Sequence, residues 1–216
     1  MFDEHLEKEG LISHKGTIVD ATFVDAPRQR NSRDENKKIK NGVIPEGWEK
    51  PENKSKLAQK DIDADWTKKN GERHFGYKDH VKCDADSKLI TNYSVTSASV
   101  HDSQRCLVFI GQEDEVLYAD SAYSGKPIAL ALPENCKNQI CEKGYRNSPL
   151  TSEQKMNNRR KSRIRCRIEQ IFGFMTGAMH GITIRSIGIT RAWMNIGITN
   201  LVYNFCRYSY LKRASA

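Results

Sequence analysis

The sequence predicts a mixed α/β fold, a sheet with helices packed against it, on three observations. Segments 16–27, HFGYKDHVKCD and SKLITNYSVTSA are rich in Val, Ile, Thr, Tyr and Phe and are bounded by turn residues, as strands are. VLYAD is a short apolar run that reads as one more buried strand. The last third of the chain carries the 3.6-residue apolar spacing of core-facing helices. Strand, hairpin, helix, strand, helix and then long helices is the order of a mixed sheet with helical cover.

In chain order, MFDEHLEKEG is acidic and helical in character, with no apolar signal core. Residues 16–27 form the first strand, ended by Pro27, with Asp20 in its middle between Val19 and Ala21. From Arg28 to about Asn70 the chain turns polar, with Pro45, Pro51 and NG punctuation, and predicts a long, flexible, basic insertion inside one 216-residue domain. HFGYKDHVKCD and SKLITNYSVTSA flank the turn-like DADS as an antiparallel hairpin, with His74, Lys78, His80 and Lys82 on one face. DSQRCLVFIG predicts a short helix capped by Asp102 or Ser103 and stopped at Gly111, and His101 beside it is either a helper of a site or a cap. VLYAD ends at Asp120, and KPIALAL is a helix with Pro127 in its first turn.

Thr151 and Gln154 make a capping box that opens a helix to about Thr176, with Ile164, Ile168, Ile171, Phe172 and Met175 as its apolar stripe. Ser162, Arg165 and Glu169 form a second stripe on its border. A final amphipathic helix carries Ile189, Trp193, Ile196, Leu201, Val202 and Phe205 and is expected to cover the sheet.

Hydrophobic residues make up 38% of the chain, and no apolar run approaches the roughly 20 residues of a membrane span, so a soluble, cytoplasmic, nucleoid-associated protein is expected. The six cysteines form no C-x-x-C pair, which leaves them as free thiols. The net charge is +8. Lys155, Arg159, Arg160, Lys161, Arg163, Arg165 and Arg167 crowd one acid-free stretch, which points to a polyanionic partner.

Asp20, Asp120 and Glu169 are the candidate chemistry. Asp20 and Asp120 converge if their strands are neighbours, with Glu169 supplied from the helix above. Converging carboxylates suit Mg²⁺, which prefers hard oxygen ligands, and metal-assisted phosphoryl transfer uses two such ions about 4 Å apart. Each acid also has a plainer reading. Asp20 fits an edge-strand surface acid, Asp120 a turn cap, and Glu169 a partner for Arg165 one turn earlier.

GTIVDATFVDAP, GYKDHVK to VTSASVHDSQ, YADSAYSG, SRIRCRIEQIFGFM and IGITNLVYNFCRY, in this order, resemble the DDE transposases of bacterial insertion sequences. The resemblance implies an RNase-H-like catalytic domain in which Asp20, Asp120 and Glu169 hold two Mg²⁺ ions, with Mn²⁺ as a substitute. The implied reaction nicks the terminal inverted repeats of a transposon and joins the freed 3′ hydroxyl to target DNA. A homodimer at synapsis is implied too. The family signature of Tyr, two residues, Arg, three residues, Glu, six residues, Lys places Arg165 on a transposon-end phosphate, while Ser162 and Thr176 stand where Tyr and Lys are usual.

Arg159, Arg160, Lys161 and Ser162 on the helix, and Arg28, Arg30, Lys68 and Lys69 in or beside the insertion, are the other expected DNA contacts. Members usually carry a helical DNA-binding segment ahead of the first catalytic Asp, and only 19 residues precede Asp20, so an upstream-frame partner segment is expected. An inactive DNA-binding remnant and a nuclease that cuts without joining are the competing classes.

Overall fold

The computed structural model describes residues 2–26, 31–69 and 71–214. Arg28 and Arg30 lie outside them. The sheet has six strands, β1 (Thr17–Asp25), β2 (Asp65–Lys69), β3 (Glu72–Asp84), β4 (Ile90–Ser97), β5 (Val116–Tyr118) and β6 (Lys137–Asn138). β1 runs antiparallel to β3 and parallel to β5, and β6 extends the parallel edge. The other edge of β3 is shared by β2 and β4. This mixed sheet with helices on its faces is the RNase-H-like arrangement that the resemblance implies.

The long central strand β3 explains where the core sits. With partners on both edges and helices on both faces, everything from Phe75 to Ala85 is buried, including Lys78, His80 and Lys82. Gly76, at φ +154, is required where Val24 and Ala26 cross it, because a Cβ there would strike the Val24 carbonyl. On one face Ile18, Val81 and Cys83 pack against Ile168, Ile171 and Met175 of α7 (Arg167–Gly177) and Tyr203 of α8 (Ile189–Ala214). On the other, Val19, Leu117 and Ala119 pack against Cys106 and Phe109 of α4 (Ser103–Phe109) and Ile128 of α5 (Lys126–Ala131). Burying one such side chain contributes about 1.5–3 kcal/mol, so these two clusters fix the sheet between its helical layers.

Three elements differ from the sequence expectation. The stretch 31–69 is not irregular, holding α2 (Arg33–Lys40), a 3₁₀ turn (Pro51–Asn53), α3 (Lys54–Leu57) and β2. Its order comes from polar pairs distant in sequence, among them Lys60 on Glu35 at 3.0 Å, Asn36 on Asp65 at 2.9 Å and the Trp66 indole on the Asn31 carbonyl at 2.6 Å. Burial alone would raise Glu35, but the Ser32 amide, Lys60 and Trp48 bring it down to about 2. Two of its cations, Lys40 and Lys60, are thus spent on the internal acids Asp65 and Glu35.

The single helix expected from 151 to 176 is broken. α6 (Ser152–Arg165) opens with the Thr151–Gln154 capping box and stops at Cys166, and α7 begins one residue later. The Cys166 thiol donates to the Arg163 carbonyl at 3.3 Å, and the Glu169 amide reaches only three residues back, to Cys166 at 3.1 Å. The tightened turn re-aims the chain between Arg165 and Glu169. Lastly, β5 ends at Tyr118, and Asp120 caps a 3₁₀ turn (Ser121–Tyr123) instead of closing the strand. α1 (Phe2–Lys8) lies against α8 through Phe2 and Phe205, with ring centroids 4.6 Å apart.

Candidate active site

The parallel pairing of β1 and β5 sets Ile18 opposite Tyr118, and continuing that register by two residues brings Asp20 alongside Asp120. Side chains alternate along β1, so Asp20 shares the face of Ile18, the face covered by α7. Asp20 is mostly shielded, with 15% of its side chain exposed, because that helical layer closes over it. Its Oδ1 accepts from the Ala21 amide at 2.8 Å, and its Oδ2 accepts from Arg165 at 3.1 Å. Burial pushes its pKa up to about 6, the neighbouring Asp120 pushes the same way, and the Ala21 amide, Arg165 and Lys69 oppose them.

Asp120 is held by its own turn, its Oδ1 accepting from the Ala122 amide at 2.6 Å. Arg165 donates its other terminal nitrogen to Glu169 Oε1 at 2.6 Å, so one guanidinium bridges the acid of β1 and the acid of α7. Burial works against the charge on Arg165, but the Glu169 hydrogen bond and the charges of Asp20, Glu169 and Asp120 together raise its pKa. Glu169 sits in the first turn of α7, where the positive end of the helix favours a carboxylate, and 57% of its side chain is exposed. The plainer readings of Asp120 as a cap and Glu169 as a partner of Arg165 are both realised, in the same place where the three acids meet.

The three acids do not close on one point. Among the described residues, the set of three ligand groups within 4.8 Å of one another is His14, Glu113 and Asp114. Lys82 already stands in that set, 2.8 Å from Asp114 and 3.6 Å from Glu113. Asp114 is further satisfied by the Thr17 hydroxyl at 2.7 Å and the Gly111 amide at 2.9 Å. With Asp114 paired to Lys82 and both its oxygens bonded, this second cluster reads as structural. Asp20, Asp120 and Glu169, with Arg165 between two of them and Lys69 acting on Asp20, offer hard oxygen donors, which fits a divalent metal.

The family described as Transposase DDE domain matches residues 12–205. The chain belongs to this DDE transposase family. It is 30% identical over 182 residues to the transposase for insertion sequence element IS1106 of Neisseria meningitidis serogroup B, an alignment covering 80% of the chain and 58% of that protein. The chain therefore spans rather more than half the length of this relative. No solved structure matches the chain. No helix among the described residues is long and apolar enough to cross a membrane.

The other expected DNA contacts of this DDE family member divide into free and engaged. Arg159 and Arg160 are exposed on α6, and Lys68 and Lys69 are exposed on β2. Lys161 is turned inward, donating to the Ile140 carbonyl at 2.9 Å, and Ser162 Oγ lies 3.7 Å from the Cys141 thiol. Thr176 is spent on its own helix, donating to the Phe172 carbonyl at 2.9 Å. His101 bonds the Ser103 hydroxyl at 2.8 Å at the start of α4, the capping alternative. Asp102 occupies the cap position of α4 but makes no cap bond, because it pairs with Lys78 at 2.8 Å. Lys69 lies 5.5 Å from the Phe23 ring centre and acts on Asp20. Sequence reasoning assigned that lysine to DNA but missed its closeness to Asp20, because the pairing of β2 with β3 was hidden in a polar stretch.

Proposed function

We propose that this chain is the catalytic part of a metal-dependent transposase, cleaving DNA at transposon ends and joining the freed end to target DNA. The observation that carries this reading is the gathering of acids from β1, the end of β5 and α7 around Arg165, with Asp20 held at about 6. Asp20, Asp120 and Glu169 are the donors for Mg²⁺ or Mn²⁺. When bound, the cations supply Lewis acidity to a phosphoryl oxygen and to the attacking hydroxyl. Above pH about 6 Asp20 is ionised and ready to ligate, and below it the proton competes.

Arg165 has a double part. It neutralises Asp20 and Glu169, and a guanidinium in that position is suited to a DNA phosphate brought beside the acids. Glu169, the most exposed of the three acids, moves at little cost because a solvent-facing ion pair one helical turn apart is worth about 0.3–0.5 kcal/mol. Arg159, Arg160, Lys68 and Lys69 supply sequence-independent contacts to the DNA backbone. The terminal repeats and target are engaged by a homodimer.

The test is a strand-transfer assay on labelled terminal repeats in Mg²⁺ or Mn²⁺. Asp20→Asn, Asp120→Asn and Glu169→Gln are each expected to lower product by about a thousandfold, the scale of several kcal/mol of lost charge stabilisation. Undiminished product from any one of them removes that residue from the site. Cleavage with no joined product by the unaltered chain replaces transposition with the nuclease reading.

A further inference from the structure

On the flank of α7 away from Glu169, the β3–β4 turn and the end of α8 enclose a cavity of 180 Å³. Gln170 and Phe174 line it from α7, and at 100° per residue they lie about 100–140° around the helix from Glu169. Tyr203 and Tyr210 of α8 add aromatic walls, and Lys88 and Arg207 bring two positive charges with no acid in the lining. Arg167 stands near enough to add to the repulsion. Burial first, and then Arg207 and Arg167, lower the pKa of Lys88.

The cavity is built, not incidental. The Ser87 carbonyl accepts from Arg207 Nε at 2.6 Å and the Lys88 carbonyl accepts from the Tyr203 hydroxyl at 2.9 Å, so α8 clamps the turn. Asn204 holds the next residue, donating to the Ile90 carbonyl at 2.7 Å and accepting from its amide at 2.8 Å. Arg207 lies over the Tyr210 ring, 4.9 Å from its centre, and its terminal nitrogens have no hydrogen-bond partner among the described residues. Lys88 bonds only the neutral Gln170 side chain there. Lys88 also holds φ +59, a left-handed conformation that costs a residue with a Cβ roughly 1–2 kcal/mol. A glycine would make the same turn without that cost, so the position spends stability to keep an ammonium at the cavity.

We propose that this cavity is a second phosphate site, in which Lys88 and Arg207 grip a backbone phosphate of duplex DNA on the side of α7 turned away from the carboxylates. The proposal rests on the reading of DNA as the substrate. A free nucleotide or inorganic phosphate presents the same group, but the surroundings favour a polymer. α8 has no acid in its 26 residues and carries Arg213 in its last turn, beyond the pocket, whereas Lys212 is paired with Glu9 at 2.8 Å. The phosphate held here is distinct from the one proposed to be brought beside Asp20.

The experiment measures binding of a fluorescein-labelled duplex by anisotropy over a range of salt concentrations, in EDTA so that no metal takes part. Lys88→Gly, Arg207→Met and their combination are compared with the unaltered chain. The double variant is expected to bind about tenfold more weakly, with the slope of log K against log salt reduced by about 1 for each lost contact. Lys88→Gly is expected to melt no lower than the unaltered chain, which separates lost contact from lost fold. Cys206 lines the cavity and is exposed, so bound duplex is expected to slow its alkylation by iodoacetamide, read by peptide mass.

Unchanged affinity and salt slope in the double variant overturn the proposal, as does a Cys206 alkylation rate indifferent to DNA. Protection by inorganic phosphate or a mononucleotide with none from duplex also overturns it. An unaltered chain that binds no duplex removes the proposed function together with this site. Duplex binding untouched by the double variant, with strand transfer still lost in Asp20→Asn, removes this site alone.

Discussion

Two acid clusters lie close together along β1 on opposite faces of the sheet, and they behave in opposite ways. Asp114, with Glu113 and His14, is the tighter group by distance, yet Lys82, Thr17 and the Gly111 amide use up its oxygens. Asp20, Asp120 and Glu169 are more spread, with Arg165 bridging Asp20 and Glu169, and burial leaves Asp20 shifted up to about 6. Closeness of potential ligands does not mark a metal site. What distinguishes the Asp20 cluster is a carboxylate that burial makes costly to ionise, at a partly shielded position where an added cation gains the most.

The sharpest way to break this contrast is to remove one acid from each side. Asp114→Ala leaves Lys82 buried with only Glu113 nearby and is expected to destabilise the fold by about 3–5 kcal/mol, read from urea unfolding. A loss under about 1 kcal/mol shows that the cluster is not the structural one.

Asp20→Asn is expected to do the reverse. The folded protein raises this carboxyl from 3.8 to about 6, so its ionisation opposes folding. That penalty is nil below the unfolded value, grows between pH about 4 and 6, and is complete above it. The asparagine variant should therefore be more stable than the unaltered chain by about 2–3 kcal/mol at pH 8 and equal to it at pH 3. A variant less stable at pH 8 contradicts the strained state assigned to Asp20.

Smallest is Glu169→Gln. Its side chain is 57% exposed and its pairing with Arg165 is a surface contact one turn apart, so thermal unfolding is expected to register less than about 0.5 kcal/mol. A larger loss makes Glu169 a structural anchor like Asp114.

Much of this contrast was legible along the chain, but not all of it. Asp20 stood out because an acid between Val19 and Ala21 in a strand is locally unfavourable, and such exceptions to local rules gather at functional sites. The hairpin, the capping box at Thr151 and the final helix were legible from periodicity and turn chemistry, which are properties of neighbouring residues. The ordering of 31–69 was not, because Glu35 finds Lys60 and Asn36 finds Asp65 only after folding. The break at Cys166 was hidden as well, since neither glycine nor proline marks it. The acid-free pocket at Lys88 joins residues 88, 170 and 207, a conjunction that no local pattern announces.

By itself the sequence determined which segments are strands and helices, which side chains are apolar enough to bury, and that three acids stand in unusual settings. Those follow from short-range propensity and spacing. Tertiary structure decided which acids meet, which are neutralised, and which burial makes costly to ionise. Parallel pairing of β1 with β5 sets Asp20 beside Asp120, the turn at Cys166 aims Arg165 and Glu169 toward them, and Lys82 goes to Asp114 on the other face. The physical reason is that charge compensation depends on distances across the fold and on the solvent removed there, neither of which is encoded by neighbours in the chain.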